Sequence, residues 1–194
     1  MTVPDLTGIL DFLRSAEQLK STLRSCYAST GRQESVAEHS WRLALMAMLL
    51  RDEFPELDAG KVLRMCLIHD LGEAIGGDIP APEQARRREG GASAGKAEQE
   101  RRDLVTLLEP LPTARQLEFT TLWDEYEAAA TPEARLVKAL DKLETILQHN
   151  QGKNPADFDY AFNLDYGRQY TGGHPVIVEL RRLLDEETER RAES

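Results

Sequence analysis

Four side chains of types that bind transition metals interrupt apolar helical patterns. His39 falls in the first turns of one helical run, His69 and Asp70 end a second, and Asp141 follows Val137 by four residues on a third. A buried carboxylate is unfavourable unless it is paired or bound to a metal. Two imidazole nitrogens and two carboxylates make a mixed nitrogen and oxygen site, with the remaining positions left to water or substrate. We therefore predict a divalent metal site at these four residues.

His69, Asp70 and Asp141 also have ordinary structural explanations. A His-Asp pair can end a helix, and Asp141 can pair with Arg135 or Lys138 on its own helix. Glu38 is accounted for by a capping box with Ser35. The metal site is favoured because three separate helices each present such a residue.

Helices must position these residues, because capping signals precede apolar runs with spacings of three and four and no segment has a period of two. The buried face predicted for the first helix is Ile9, Leu10, Phe12, Leu13, Ala16 and Leu19. We predict helices over residues 6–19, 35–50, 58–72, 96–108, 113–129, 131–150 and 175–190, a short helix near 157–164, and loops at 25–33, 76–82 and 86–91. On the helix over 131–150, Lys138 and Lys142 fall outside the stripe that holds Asp141. The fold class is all-α, a compact bundle of six or seven helices.

Composition excludes several classes of protein. The 194 residues are 41% hydrophobic and 30% charged, which suits one globular domain. A net charge of −10 disfavours nucleic acid as a partner. The longest apolar run, at 43–50, is too short to cross a membrane and predicts a core helix. Two cysteines, Cys26 and Cys66, and the lack of a secretory signal predict a cytoplasmic protein.

The ordered motifs resemble the HD-domain superfamily of metal-dependent phosphohydrolases. The likeness is carried by ESVAEHSWRLALMA at 34–47, HDLGEAIGGDIPAP at 69–82 and ALDKLETILQ at 139–148. These segments are similar to the branch with bacterial 5'-deoxynucleotidases and their eukaryotic relatives. The likeness runs from about residue 10 to 148, which predicts a single HD domain over 1–194 whose C-terminal extension, 151–194, packs on the motif core.

The resemblance implies roles for particular residues. It assigns the metal ligands to His39, His69, Asp70 and Asp141. Glu73 matches an acid needed for turnover, Asp78 an acid beside the scissile phosphate, and Arg24 a substrate-binding residue. In the deoxynucleotidases a Trp directly follows that Arg, whereas here the nearest aromatic residue is Tyr27, which can offer a stacking face instead. The family is also typically dimeric, which predicts a homodimer.

The expected reaction is hydrolysis of (deoxy)nucleoside 5'-monophosphates to nucleoside and phosphate by a metal-activated water. Glu73 and Asp78 are available for proton transfer, and the division of acid and base between them stays open. Manganese, cobalt, iron, nickel and zinc all suit the donor set.

Three alternatives remain: an HD hydrolase of another phosphate ester or nucleotide, a diiron oxidative enzyme, and a non-catalytic metal-binding helical module. Diiron chemistry generally needs further His ligands, and only His149, two turns beyond Asp141, and His174 remain. We therefore predict one metal ion per chain. The full ligand set, together with Glu73 and Asp78, favours an enzyme over a structural module.

Overall fold

The computed structural model describes residues 6–80 and 93–193. The elements are α1 (Thr7–Ala16), β1 (Leu23–Tyr27), β2 (Gln33–Ser35), α2 (Val36–Leu50), α3 (Ala59–Ile68), α4 (Glu73–Gly76), α5 (Ser93–Leu108), α6 (Thr113–Glu127), α7 (Pro132–Gln151), α8 (Phe162–Asp165) and α9 (Pro175–Ala192). Seven helices in this described part have ten residues or more. The all-α prediction is confirmed. The loop predicted at 86–91 lies outside the described residues, as do the last two positions of the loop predicted at 76–82.

Local capping sets where the helices begin. The Ser35 hydroxyl accepts from the Glu38 N–H at 3.3 Å, and the Glu38 carboxylate accepts from the Ser35 N–H at 2.9 Å, as a capping box requires. Asp58 caps α3, and Thr131, followed by Pro132, caps α7. These starts were predicted from sequence. The helix predicted over 58–72 instead ends at Ile68, because tighter turns follow it before α4 begins.

The long helix α7 lies at the centre of the molecule and contacts α2, α3, α6 and α9. Its Leu140, Leu143 and Ile146 are fully buried, in one cluster with Leu43 of α2 and Met65 of α3. Burying each side chain of this size contributes about 1.5–3 kcal/mol. Because α7 is surrounded in this way, its polar side chains are also held in buried positions.

The prediction of a loop over 25–33 was wrong at both ends. β1 and β2 form a two-stranded antiparallel hairpin, whose register is irregular between Leu23 and Tyr27. The strands have only five and three residues. In strands this short, with an irregular register, apolar and polar residues do not alternate over enough positions to predict a strand from sequence. The turn between them passes through Gly31 at φ +87°, a conformation that favours glycine.

The hairpin packs against the C-terminal half of α7. The Gln148 side-chain amide donates to the Tyr27 carbonyl oxygen at 2.5 Å, and the Lys153 N–H donates to the Ala28 carbonyl oxygen at 3.2 Å. At Gly152 a Cβ would lie 2.2 Å from the Tyr27 oxygen, so the close approach requires glycine.

Two apolar surfaces are less buried than the sequence predicted. Phe12 of α1 and Leu19, just beyond its end, are buried as predicted. Ile9, Leu10 and Leu13, predicted on the same buried face, are 38%, 50% and 57% exposed. The run at 43–50 is a core helix on one side only. The opposite side, termed here the α2 outer face, consists of the exposed Trp41, Leu45, Met48 and Leu49. Both helices lie at the molecular surface, so only one side of each is covered. None of the described helices has the length and apolar character needed to cross a membrane.

Candidate active site

A cavity of about 400 Å³ lies between β1, the α3–α4 turn, α5, α6, α7 and the chain around Tyr166. Its charged lining side chains within the described residues are Arg24, Lys96, Lys138, Lys142, Asp70, Glu73, Asp78, Glu100, Glu127 and Asp141. The structure therefore brings together most of the residues that the sequence analysis singled out.

The four predicted metal ligands converge beside this cavity, which His69, Asp70 and Asp141 line and His39 does not. The His39 Nε2 atom lies 3.3 Å from His69 Nε2 and 3.3 Å from Asp141 Oδ1, and His69 Nε2 lies 3.1 Å from Asp70 Oδ2. The ligand atoms of His39, His69 and Asp70 all lie within 4.8 Å of one another, and Asp141 joins them through His39. Metal–ligand bonds of about 2.0–2.2 Å place neighbouring ligand atoms roughly 3–3.5 Å apart. The spacing thus fits a bound divalent ion.

Hydrogen bonds fix both imidazole rings with Nε2 towards this point. His69 Nδ1 donates to the Cys66 carbonyl oxygen at 3.0 Å, which leaves the Nε2 lone pair free to bind a metal. His39 Nδ1 donates to the Glu144 carboxylate. Burial would raise the pKa of Glu144, but His39 and nearby arginines lower it to about 2, so it stays ionised. A carboxylate, histidine and metal in series is the usual arrangement around a metal-binding imidazole.

The surroundings of the cluster favour positive charge. Burial and Arg24 lower the pKa of His39, but Glu144 and Asp141 outweigh them and raise it to about 9. Although burial acts in the opposite direction, His69 lowers the pKa of Asp70. A cation at this point would be stabilised by the same carboxylates.

Asp141 is held by neighbours from three directions. Its Oδ2 accepts from the Tyr126 hydroxyl at 3.1 Å and from Lys142 Nζ at 2.8 Å, while Oδ1 faces His39. Despite burial, Lys142 and His39 hold the pKa of Asp141 well below its ordinary value. Lys138 is buried and contacts Glu127 at 2.6 Å. Lys138 and Lys142, which the sequence analysis placed outside the stripe of Asp141, also line the cavity, because α7 is enclosed on nearly every side.

Glu144 is a functional candidate to which the sequence analysis gave no role. It is 0% exposed and accepts from His39 and, at 2.6 Å, from Arg42 Nε. Its place three residues after Asp141, within a motif quoted for the family, was the available signal. What the motif could not supply was its partner, which comes from another helix.

Glu73 and Asp78 lie beside the metal-ligand cluster. Glu73 is 6% exposed, and its Oε2 atom has no hydrogen-bond partner among the described residues. Burial first, then Asp70 and Asp78, raises the pKa of Glu73 well above its ordinary value. Burial and Asp70 also raise the pKa of Asp78, against the influence of Arg24. Acidic groups are thus concentrated at this position, and a bound cation or an added proton would reduce the repulsion between them.

Other charges in the cavity are paired. Lys96 contacts Glu100 at 2.8 Å, and the Lys138–Glu127 and Lys142–Asp141 pairs lie on the α6 and α7 side. Arg24 is only partly engaged: its Nε lies 3.7 Å from Glu34 Oε2 and its Nη2 donates to the Thr145 hydroxyl at 3.0 Å, while Nη1 is buried with no partner in the described chain. Such a guanidinium can bind an anion.

The aromatic residues that line the cavity do not include Tyr27, the one that the sequence analysis proposed. Tyr27 is not among the lining residues, although Arg24 is. Trp123, Tyr126 and Tyr166 line it instead, and the Trp123 indole N–H donates to the His69 carbonyl oxygen at 3.0 Å. None of them could be placed beside Arg24 from sequence, because they lie about one hundred or more positions further along the chain.

The two remaining histidines differ in their surroundings. His149 lines the cavity and is bonded to Asn163 rather than to an acidic residue. His174 caps α9 and packs on Phe54 at a ring-centroid distance of 4.3 Å. A second cluster of possible metal-binding side chains consists of Glu34, His39 and Glu144, and so shares His39 with the first cluster. Arg24 and Arg42 contact the carboxylates of this second cluster and neutralise their charge.

Comparison with known proteins adds relatives for this site. A family model described as HD domain matches residues 16–180. The chain is 34% identical over 191 residues to 5'-deoxynucleotidase HDDC2 of Mus musculus, covering 95% of this chain and 89% of that protein. It is 30% identical over 192 residues to the protein of the same name from Dictyostelium discoideum, with coverages of 93% and 98%.

Solved structures agree in fold. A crystal structure described as a predicted metal-dependent phosphohydrolase from Magnetospirillum magnetotacticum superposes with a TM-score of 0.76 at 31% identity, covering 96% of each chain. A conserved hypothetical protein from Pyrococcus furiosus gives a TM-score of 0.61 at 33% identity, with coverages of 89% and 99%.

Proposed function

The chain belongs to the HD domain family, and from that membership and the site geometry we propose that it hydrolyses 2'-deoxynucleoside 5'-monophosphates to nucleoside and phosphate. The observation that carries this proposal is the convergence of two Nε2 atoms with the carboxylates of Asp70 and Asp141 beside the cavity. Relatives named 5'-deoxynucleotidase support the substrate class.

His39, His69, Asp70 and Asp141 are the residues that we propose hold one divalent ion per chain. When bound, such an ion activates the phosphate and the attacking water as a Lewis acid. Arg24, with its unpartnered Nη1, binds the phosphate or the adjoining sugar oxygen. The ligand set suits manganese, cobalt, iron, nickel or zinc.

Glu73 and Asp78 are the groups that we propose handle protons. As the water oxygen bonds to phosphorus and the bond to the 5'-oxygen breaks, one carboxyl group takes a proton from the water and the other gives one to the departing oxygen. Glu73 is the more deeply buried, and its raised pKa favours the protonated form, which suits the donor.

The test is phosphate release from deoxy- and ribonucleoside 5'-monophosphates by metal-stripped protein resupplied with manganese, cobalt, magnesium or zinc. Release that needs both metal and Glu73 supports the proposal. If every monophosphate stays intact while metal binds, the substrate class is wrong, and a panel of other phosphate esters tests the alternative hydrolase.

Further proposals concern organisation. A homodimer formed through the α2 outer face is supported by its four exposed apolar side chains on one side of the helix. A single domain over 1–194 is supported by the packing of α9 on α7 and by the extent of the family match. A cytoplasmic location fits the two unpaired cysteines, Cys26 and Cys66.

A further inference from the structure

The cavity continues along α7 away from the metal-ligand cluster. Asp141, Thr145 and His149 follow one another at intervals of four residues and all line it. Eight residues of helix span about 12 Å, so His149 stands at the far end of the same cavity floor. The proposed reaction uses Asp141 at one end and assigns nothing to His149.

His149 is held rigidly and is 3% exposed. Its Nδ1 donates to Asn163 Oδ1 at 2.8 Å, and the Phe158 ring packs edge-on at a centroid distance of 4.9 Å. Asn163 is itself fully buried, and its backbone carbonyl oxygen accepts a hydrogen bond from Arg181 Nη2 of α9 at 2.8 Å. With Nδ1 engaged as a donor, Nε2 carries a lone pair and is an acceptor.

These surroundings select the class of ligand group. Burial lowers the pKa of His149 to about 4, so the ring is neutral at physiological pH. A phosphate offers oxygens that accept hydrogen bonds, and an acceptor nitrogen repels them. A hydroxyl group can donate a hydrogen bond to such a nitrogen. Arg24 and the Thr145 side chain lie between the two ends of the cavity, so the phosphate binds on the side of the metal-ligand cluster. The uncharged nucleoside part therefore suits the His149 end.

We propose that His149 Nε2 accepts a hydrogen bond from the 3'-hydroxyl of the bound nucleotide, which makes this end of the cavity a sugar-recognition subsite. The inference rests on the proposed nucleotidase function. Among the donors of a deoxynucleotide, the 3'-hydroxyl is the one common to all four bases and fixed relative to the phosphate. Tyr166, half-buried in the same lining, offers the apolar surface for the base.

The experiment compares kcat/KM for a 2'-deoxynucleoside 5'-monophosphate and its 2',3'-dideoxy counterpart in the wild-type protein, His149→Phe and His149→Gln. We expect the wild type to prefer the deoxy substrate about five- to tenfold, as one buried neutral hydrogen bond implies. In His149→Phe the ratio should fall to about one, and in His149→Gln to an intermediate value. His174→Asn, which keeps a capping side chain on α9, should retain the wild-type ratio.

Several outcomes overturn the proposal. Equal rates on both substrates in the wild type do so without any variant, and an unchanged ratio in a folded His149→Phe or His149→Gln protein does so as well. 2-Deoxyribose 5-phosphate separates sugar from base: if His149→Phe impairs only base-bearing substrates, the donor is on the base and the sugar subsite is wrong. No release by the wild type from any nucleotide removes the nucleotidase function itself, a result distinct from an active enzyme that ignores the 3'-hydroxyl.

Discussion

His39 and Glu144 are separated by 105 positions in the chain, yet the imidazole Nδ1–H of one donates to the carboxylate of the other in a pair with no exposure to solvent. This contact fixes which nitrogen of His39 faces the other ligands. Arg42 holds the second carboxylate oxygen, so the imidazole is oriented by a chain of two buried contacts.

Replacing Glu144 with Gln should weaken metal binding roughly 10–100-fold, because the amide can accept from only one of its two donors and leaves the other facing an NH₂ group. Calorimetric titration of metal-stripped protein measures the change. Glu38→Gln, a matched change in the partly buried capping box of α2, removes the charge that pairs with Arg32 and should leave metal affinity intact. Equal affinity in both variants would show that Glu144 does not position His39.

Metal binding should stabilise the fold measurably. At a free metal concentration 100 times Kd, binding adds about 2.7 kcal/mol, which raises Tm by roughly 5–10 °C for a chain of this length. Asp141→Asn should abolish most of that rise, because a neutral amide replaces a ligand carboxylate. Asp58→Asn, at a helix start where Asn also caps, should keep it. A full shift in Asp141→Asn would remove this residue from the ligand set.

Glu73→Gln should separate turnover from metal binding. We expect kcat to fall about 100- to 10,000-fold, the usual contribution of proton transfer, while the metal-induced rise in Tm persists. Glu109→Gln, on an exposed surface, should change neither. Loss of the Tm rise in Glu73→Gln would instead make it a ligand, and retained turnover would exclude it from proton transfer.

The helices were predictable because their signals are local: a Ser or Thr hydroxyl, or an Asp carboxylate, needs only a backbone N–H three residues later. The motifs also singled out His39, His69, Asp70 and Asp141, the four side chains that converge in the structure and that we propose as metal ligands. The hairpin was missed because its pairing depends on a partner strand and an irregular register. Glu144, Trp123 and Tyr166 were missed because their roles depend on contacts between distant helices, which no periodicity records.

Buried His149 should make stability depend on pH. Burial lowers its pKa from an ordinary 6.5 to about 4, so the unfolded chain binds its proton more readily. The stability that the neutral ring contributes is complete above pH 6.5 and is lost as the pH falls towards 4. The loss amounts to about 2 kcal/mol at pH 5. Urea unfolding of wild type and His149→Gln at pH 7.5 and 5 should show a smaller loss in the variant. Parallel losses would contradict the neutral, buried state.

The α2 outer face should control oligomeric state. Met48→Lys places a charge among exposed apolar side chains and should convert a dimer to a monomer in light-scattering measurements. Leu117→Lys, at an equally exposed leucine on α6, should leave the dimer intact. A wild-type monomer would rule out the dimer, and dissociation by Leu117→Lys alone would place its interface elsewhere.

The docking of the hairpin on α7 determines when the site can exist during folding. Its contacts, Gln148 to Tyr27 and Arg24 to Thr145, each span 121 positions. Closing so long a loop follows local helix formation, so the cavity wall assembles late. On the ribosome the hairpin has no partner until α7 has emerged, and we expect a nascent chain ending before α7 to carry two of the three motifs without a site to bind metal or substrate.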